Sequence, residues 1–311
     1  MKRSLRDYLL TLVLAVVIFS VAAVFLIEAA EGLMKDVVTK IGSEGEIEQE
    51  TVTSEQASVS EPETKDTSEQ KEEVKEDVFS TFLLLGLDEK KEKLDSIFLI
   101  GLNATKKQAT VALIPCNTSV ADNGEKKFLG DLYSSRNINF YKEFVQTETG
   151  IMPDYYAVYT TSALANLIDL WGGISFKVPQ EIKVEDKENK IKIDLAAGQQ
   201  TLNGSQSVQL LRYNNFNGGR AAKEDTQLNF FKTFCTNYMT AENLSRAPAI
   251  HNNMYYNCQT DFEEADLKEL GEMIFAMTTY KQSYVRIPGA SSGNYYNISS
   301  TKAKAMFEIY Q

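Results

Sequence analysis

The chain has 311 residues, of which 43% are hydrophobic and 24% charged, a composition typical of globular proteins that excludes wholesale disorder. Its net charge of −11 is concentrated in residues 44–77, where thirteen acidic residues and three lysines give −10, while residues 1–42 carry +1. Because this leaves only −2 for residues 79–311, the globular part is close to neutral and a nucleic-acid partner is not expected.

The first predicted element is an uncharged stretch of twenty residues, 8–27. As an α-helix it is about 30 Å long, which matches the hydrocarbon thickness of a bilayer. Basic residues precede it and acidic residues follow it, so residues 1–7 are expected in the cytoplasm and the rest of the chain outside the cell. We expect a signal anchor in the cell membrane. The alternative is a cleaved signal peptide, whose apolar region is usually ~7–15 residues long.

An acidic segment follows the predicted anchor. Residues 44–77 contain no aromatic residue and few large aliphatic ones, so they cannot bury enough apolar surface to offset chain entropy. We therefore expect residues 28–78 to be a disordered linker and residues 79–311 to form one extracellular domain.

Short apolar runs predict the β-strands of that domain. The predicted strands are 79–87, 97–102, 109–115, 155–160, 174–178 and 208–213, with a turn at Gly198 inside 195–202 and a last strand that ends at Ile287–Pro288. A polar turn at 103–107 joins the second and third strands.

Three helices lie between the later strands. The first begins near Thr161 or Ser162 and ends at Gly172–Gly173, the second covers about 221–239, and the third begins near Phe262 with Asp261 as its cap. Because strands and helices alternate, we expect an α/β fold, a three-layer sandwich with a central mixed sheet, preceded by one transmembrane helix.

The cysteines and the histidine limit the chemistry. Cys116, Cys235 and Cys258 are an odd number without metal-binding spacing, so a zinc site is not expected. A disulfide between Cys235 and Cys258 and free thiols both stay open. His251 is the only histidine, which argues against a histidine-based triad or a multi-histidine metal site.

Two acidic residues are candidates for a metal site. Asp88 lies just past the first predicted strand and Asp95 just before the second. Carboxylates at adjacent strand ends can share Mg²⁺, which is commonly bound by one or two carboxylates and substrate phosphate oxygens. The alternative is that both are ordinary turn residues.

A candidate anion site follows the strand predicted at 208–213. Arg212, Arg220 and Lys223 flank a glycine-rich loop and the start of the second helix, where free N–H groups, the helix dipole and charged side chains favour phosphate. The alternative is a solvated loop with scattered charge. A prenyl chain bound below such a site would need an apolar lining, and four phenylalanines are close in sequence: Phe216, Phe230, Phe231 and Phe234.

The order of several motifs is also informative. They are GLD (86–88), LDS (94–96), IPCNTSV (114–120), GIMPDYYAVYT (150–160), LIDLWGGISFKVP (167–179), LNGSQSVQLLR (202–212) and GGRAAKED (218–225). Behind a signal anchor, this order resembles the LytR–CpsA–Psr family of envelope proteins, once labelled transcriptional attenuators, over residues 79–288.

The resemblance implies an α/β sandwich that holds a polyprenyl pyrophosphate in an apolar tunnel with Mg²⁺ at its mouth. It implies phosphotransfer of a lipid-linked anionic glycan onto peptidoglycan at the outer side of the cell membrane. By resemblance, Asp88 and Asp95 bind the metal, and Asp95 and Arg220 are catalytic. The implied pyrophosphate ligands are Arg212, Arg220, Lys223, Lys127 and Lys93.

The chain departs from the family pattern at several site positions, some of which carry positive charge in the family. Cys116 and Asn117 stand where the family has Arg-Asp, Asn214 replaces an arginine, and Glu224 replaces a glutamine. One lost donor to a transition state costs about 10²–10³ in rate. The alternative function is therefore a non-catalytic member that binds polyprenyl phosphate or glycan, or that regulates an active relative.

Overall fold

The computed structural model describes residues 79–186, 191–238, 258–261 and 279–310. The predicted anchor and linker and the helix expected from Phe262 lie outside these residues. No helix within the described ranges is long and apolar enough to cross a membrane.

The described residues alternate between strands and helices. The strands are β1 (Phe79–Leu87), β2 (Leu94–Asn103), β3 (Gln108–Leu113), β4 (Ser119–Asp122), β5 (Glu125–Phe128), β6 (Tyr155–Tyr159), β7 (Ile174–Val178), β8 (Ile182–Asp186), β9 (Ile191–Leu195), β10 (Gly198–Leu202), β11 (Cys258–Thr260), β12 (Lys281–Arg286), β13 (Gly289–Ser292) and β14 (Tyr295–Ile298). The α-helices are α1 (Ile138–Thr149), α2 (Thr161–Leu170), α3 (Gly204–Arg212), α4 (Gly219–Tyr238) and α5 (Ser300–Phe307), and short 3₁₀ helices span Leu129–Ser135 and Glu308–Tyr310.

A six-stranded sheet forms the centre of the domain, with the strand order β11-β6-β1-β2-β3-β12. The neighbouring strands β1, β2 and β3 are antiparallel, whereas β6 and β12 are parallel to their partners β1 and β3. The predicted α/β fold with a central mixed sheet is therefore confirmed.

Both faces of this sheet are buried, which explains why β1 and β2 read as nearly continuous apolar runs. Leu83 and Leu85 point to one face, where they pack in a core that includes residues of α1 and α5. Phe82 lies on the other face, in a core that contains Leu228 of α4. The sheet thus has helices on both sides.

Helix α4 joins two cores. Leu228 and Cys235 belong to the core on the sheet, whereas Phe230 belongs to a separate core formed with β7, β10 and α3. Because apolar residues lie on more than one face of α4, the helix shows no simple amphipathic pattern.

The strand predicted at 208–213 is wrong, because these residues belong to helix α3 and the loop after it. The Asn203 side chain accepts a hydrogen bond from the backbone N–H of Gln206 (2.8 Å), and the Gln206 side chain accepts one from the backbone N–H of Asn203 (3.0 Å). This capping box starts a helix seven residues before the apolar run ends.

The cysteines form no disulfide: all three thiols are free. Cys235 lies on α4 and is buried in the core against the sheet, and Cys258 lies on β11. The Cys235–Cys258 disulfide that the sequence left open is therefore not formed in this structure.

Candidate functional site

An irregularity in the β1–β2 pairing places Asp95. Gly86 pairs with Ser96 and Leu87 pairs with Leu94, so Asp95 has no partner on β1 and forms a β-bulge. Bulges re-aim side chains and are common beside active sites. A Cβ atom at Gly86 would lie 2.2 Å from the Ser96 hydroxyl oxygen, so the chain needs glycine opposite the bulge.

Arg212 joins the bulge to helix α3, of which it is the last residue. Its Nε donates to Asp95 Oδ2 at 3.0 Å, and its Nη1 donates to Glu89 Oε2 at 2.9 Å. Burial alone would lower the pKa of Arg212, but the Glu89 and Asp95 carboxylates outweigh burial and raise it. The sequence placed Arg212 at a strand end. In the structure it follows a helix, yet it reaches the predicted acid.

Asp88 follows β1 and shapes the loop to β2. Its Oδ1 accepts hydrogen bonds from the backbone N–H groups of Glu92 (2.8 Å) and Lys93 (3.1 Å). This is the geometry of a turn residue, and it engages only one of the two carboxylate oxygens.

The carboxylates of Asp88 and Asp95 lie at the same end of two paired strands. Within the described part of the chain, no group of three or more His, Cys, Asp or Glu side chains is arranged to hold a metal. Two carboxylates are nevertheless a donor set that fits Mg²⁺ whose remaining positions are filled by water and phosphate oxygens.

The start of α4 brings further charge to the same place. Lys223 Nζ donates to Asn214 Oδ1 at 2.8 Å, and Arg220 is exposed in the first turn. Burial raises the pKa of Cys116 to about 12, and the charges that act on this thiol are those of Lys223, Asp95, Glu224 and Arg220. Cys116 therefore lies among the predicted site residues as a neutral thiol.

Arg286, which the sequence patterns did not single out, contacts the first two turns of α4. Its Nε lies 2.5 Å from Glu224 Oε2, and its Nη2 donates to the Ala221 carbonyl (3.1 Å) and to Asp225 Oδ1 (3.2 Å). Burial raises the pKa of Glu224, against the opposing effect of Arg286. The sequence feature that could have indicated Arg286 was its place at the end of the last predicted strand.

The two remaining predicted lysines are engaged elsewhere. Lys93 lies 3.0 Å from Asp131, and Lys127 lies 2.8 Å from Asp122 on the β4–β5 hairpin. Neither of these ion pairs involves Asp95 or Arg212, so their assignment to pyrophosphate stays a prediction.

An apolar cavity of about 250 Å³ opens behind the Asp95–Arg212 pair. Its wall combines β1, β2 and β6 with helices α2, α3 and α4, and α4 contributes the successive positions Gln227, Phe230, Phe231 and Phe234. This i, i+3, i+4, i+7 spacing is one face of a helix. Of the four phenylalanines named from the sequence, Phe216 lies instead in the core with β7 and α3.

The few polar groups in this wall are mostly paired with one another. The Ser96 and Tyr159 hydroxyl groups share a hydrogen bond of 2.7 Å, and Gln227 Nε2 donates to the Asp95 carbonyl at 3.0 Å. Burial raises the pKa of Tyr159 to about 12, so its hydroxyl stays protonated. The cavity is therefore mostly apolar behind a charged mouth, a combination suited to an amphiphile with an anionic head.

Comparison with known sequences and structures extends this description. A family model described as LytR_cpsA_psr family matches residues 45–311. A comparison with curated proteins gives no match.

Several solved structures share the fold. Bacillus subtilis (B. subtilis) TagV matches with a TM-score of 0.61 and 20% identity over 75% of this chain and 97% of that chain. A LytR-Csp2A-Psr enzyme from Actinomyces oris matches with a TM-score of 0.60 and 17% identity, over 74% and 89%. TagT bound to LI-WTA matches with a TM-score of 0.56 and 16% identity, over 75% and 89%. At these identities the likeness concerns the fold.

Proposed function

The chain belongs to the LytR–CpsA–Psr family, whose members are cell wall glycopolymer transferases, and from this we propose its function. It is a membrane-anchored extracellular phosphotransferase that moves an anionic glycan from polyprenyl pyrophosphate onto peptidoglycan. The observation that carries the proposal is the apolar cavity that ends at the Asp95–Arg212 pair. The structural relative TagT, which has LI-WTA and LIIa-WTA bound, supports a glycopolymer as the substrate.

The cavity would take part of the lipid chain. Its volume of about 250 Å³ is below the ~300–1,000 Å³ of a typical ligand pocket, so it suits the isoprene units next to the headgroup and not a whole polyprenyl chain. Each buried CH₂ group contributes about 0.8 kcal/mol, which makes even a short buried segment a substantial part of the affinity.

The mouth would bind the pyrophosphate. Arg212, Arg220 and Lys223 supply positive charge, and charge-assisted hydrogen bonds to phosphate are worth about 1.5–3 kcal/mol each. Asp88 and Asp95 would hold Mg²⁺, which supplies charge neutralisation at the phosphate oxygens when it is bound. Arg286 acts through the position of α4, because it contacts the first two turns of that helix.

The proposed reaction is the attack of a peptidoglycan sugar hydroxyl on the phosphorus that is joined to the glycan. A new P–O bond links glycan and acceptor, the bond to the bridging oxygen breaks, and polyprenyl phosphate leaves with that electron pair. The hydroxyl proton passes to solvent. Arg212 and Arg220 stabilise the charge that develops on the phosphoryl oxygens.

A second candidate function is a non-catalytic member that binds the same lipid. It is favoured by the neutral Cys116 thiol and the buried Glu224 carboxylate, which lie where the family supplies polar or cationic donors. Binding of the ground state survives such losses better than a transition state that depends on each donor.

Turnover separates the two candidates. The full-length chain is purified in mild detergent and incubated with Mg²⁺, a lipid-pyrophosphate glycan and peptidoglycan fragments. The proposed function predicts released polyprenyl phosphate, and Asp95→Asn is expected to reduce the rate at least about 10²-fold. Asp194→Asn is the matched control, because Asp194 is an exposed residue of β9 that does not line the apolar cavity. Tight lipid binding without any turnover would instead support the non-catalytic member.

A further inference from the structure

A second cavity lies along helix α4, on a different face from the apolar one. It has a volume of about 620 Å³ and lies between α4 and the β7–β10 pair. We call it the outer groove. Helix α4 lines it with Thr226, Asn229, Thr233 and Thr236, which are spaced to share one face of the helix, next to the face that carries the cavity phenylalanines.

The outer groove differs from the apolar cavity in its chemistry. Its wall is rich in hydroxyl and amide side chains, which include Ser175 of β7 and Gln199 of β10, and it contains two lysines, Lys177 and Lys232. Among the described residues that line it, none is acidic. A groove of this composition attracts a polar ligand that carries negative charge.

The hydrogen-bonding state of the threonines narrows the class of ligand. The hydroxyl groups of Thr226, Thr233 and Thr236 donate to the helix carbonyls four residues earlier, at 2.7, 2.8 and 2.9 Å. Their protons are therefore engaged, while each oxygen keeps acceptor capacity toward the groove. Acceptors in a row along a helix suit a ligand with many hydroxyl donors, such as a sugar chain.

The lysines supply the charge. Among the described residues, no carboxylate lies within ion-pair distance of Lys177 or Lys232; Lys232 instead lies 6.0 Å from the ring centroid of Tyr284. Two ammonium groups without an acidic partner in the groove are available to phosphate or carboxylate groups on a ligand.

The position of the outer groove relates it to the mouth of the apolar cavity. The backbone N–H of Asn217 donates to Gln180 Oε1 at 2.8 Å, which ties the end of β7 to the loop before α4. Thr226 follows Arg220 by six residues, or about 9 Å along the helix axis. A chain that leaves a headgroup held at Arg220 is therefore within short reach of the outer groove.

We propose that the outer groove binds the anionic glycan chain of the substrate beyond its pyrophosphate. This inference rests on the proposed function for the direction in which the glycan leaves the pyrophosphate. The class of ligand is inferred from the hydroxyl, amide and lysine side chains of the groove. The same groove chemistry would bind an acidic glycan from a lipid-linked donor or a free one. We assign it to the donor, because the near end of the groove, at Thr226, lies about 9 Å along α4 from Arg220.

Binding of soluble probes without lipid tests the site separately from the transfer reaction. Isothermal titration calorimetry with the full-length chain compares a hyaluronan hexasaccharide, which is acidic, with chitohexaose, which is uncharged. We expect the acidic probe to bind more tightly, with an affinity that falls as salt is added. Lys177→Gln and Asn229→Ala are each expected to weaken the affinity for the acidic probe about threefold to tenfold.

Controls locate the bound probe. Lys302→Gln removes an exposed lysine on α5, on the other side of the sheet, and is expected to leave the acidic probe's affinity unchanged. Arg212→Ala should also leave the affinity for the acidic probe unchanged, while it weakens binding of geranylgeranyl pyrophosphate. Lys177→Gln should weaken binding of the acidic probe and leave binding of geranylgeranyl pyrophosphate unchanged. Tighter binding of the acidic probe when geranylgeranyl pyrophosphate is bound would assign the groove to the glycan of the lipid-linked donor.

Three results would overturn the inference. The first is that the acidic probe does not bind, and the second is that chitohexaose binds equally well or more tightly. The third is that Arg212→Ala abolishes binding of the acidic probe and Lys177→Gln does not. Each of them leaves the binding of geranylgeranyl pyrophosphate as a separate measurement, so failure of the groove and failure of the proposed function are distinguishable.

Discussion

At the scale of single residues, Arg212 is central to the candidate site because it contacts both Asp95 and Glu89. A guanidinium carries five N–H donors, and the hydrogen bonds with these two carboxylates use two of them. The side chain therefore keeps donors for phosphate oxygens even when both ion pairs stay closed, so binding of a headgroup does not require the Asp95 contact to break.

Gly86 is the residue at which the bulge and the apolar cavity meet. A Cβ atom there would approach Ser96 Oγ to 2.2 Å and the Tyr159 ring to 2.7 Å. We predict that Gly86→Ala lowers the free energy of unfolding by about 1–3 kcal/mol through overpacking and weakens lipid binding. Urea denaturation and a lipid titration measure the two effects.

The same site offers a partial rescue. Ser96→Ala removes the hydroxyl oxygen of the nearer contact, so the Gly86→Ala/Ser96→Ala double variant should recover part of the stability that Gly86→Ala loses. A Gly86→Ala variant with wild-type stability and wild-type lipid affinity would contradict this account of the bulge.

One contact between the candidate site residues was predictable from the sequence, whereas its geometry was not. Asp88 and Asp95 were named because they flank predicted strands, and Arg212 and Arg220 because they flank the loop before a predicted helix. The structure brings Asp95 and Arg212 into contact, while the roles of the four residues stay predictions. The β-bulge was not predictable, because it depends on the register between two strands and not on either strand alone. Arg286 was missed because its contacts reach residues more than sixty positions away.

At the scale of elements, helix α3 determines where Arg212 lies. The helix has nine residues and starts at the Asn203 capping box. Its apolar run 208–211 was mistaken for a strand because short apolar runs do not distinguish a strand from a buried helix. The decisive signal was Asn203 followed by Gln206, which the sequence contained.

We predict that Asn203→Ala destabilises the chain by about 1 kcal/mol through loss of the cap and also weakens pyrophosphate binding, because α3 ends at Arg212. Asn137→Ala is the matched control: Asn137 caps α1 by accepting from the Phe140 N–H at 3.2 Å, and α1 packs on the other face of the sheet.

Both variants are expected to lower the unfolding midpoint, and only Asn203→Ala is expected to weaken binding. Equal loss of affinity in the two variants, measured by calorimetry with geranylgeranyl pyrophosphate, would argue against a positioning role of α3.

The β4–β5 hairpin depends on a buried carboxylate. Asp122 accepts a hydrogen bond from Lys127 at 2.8 Å and pairs with Arg136, and these contacts, led by Lys127, lower the pKa of Asp122 below 3.8. A lowered pKa contributes stability above pH 3.8 that is lost as pH falls through the folded-state value.

We therefore predict that Asp122→Asn is less stable than wild type at pH 7 and that the difference shrinks as the pH falls below 3.8. Thermal unfolding across this pH range measures it, with the exposed Asp131→Asn as a control of small effect. A stability difference that is the same at pH 3 and pH 7 would show that the Asp122 charge is not responsible.

At the scale of the whole molecule, one helix lines two cavities of different character. Helix α4 presents phenylalanines to the apolar cavity and threonines to the outer groove, and its first two turns carry Arg220 and Lys223. In the proposed function, lipid, pyrophosphate and glycan would be held along successive surfaces of this helix.

The fold class was predictable at this scale, because burial on both faces of a sheet leaves a clear pattern in the strands. The family was predictable from the order of the sequence motifs. The cavities were not predictable, because each is made by residues from several elements, such as β7, β10 and α4 for the outer groove. Sequence patterns record which face of an element is buried, and not the space left between elements.

The central claim is that an apolar cavity for lipid lies behind a pyrophosphate-binding mouth. The fluorescence of the protein's only tryptophan tests this claim. The Trp171 ring lies 5.0 Å from the ring of Phe234, which lines the cavity. The fluorescence of the full-length chain is titrated with geranylgeranyl pyrophosphate and, separately, with inorganic pyrophosphate, in the presence of Mg²⁺.

We predict a saturable change with geranylgeranyl pyrophosphate, none with inorganic pyrophosphate, and a loss of affinity of at least about tenfold in Arg212→Ala, as expected for a charge-assisted hydrogen bond. Equal responses to both compounds, or a lipid affinity that Arg212→Ala leaves unchanged, would contradict the claim.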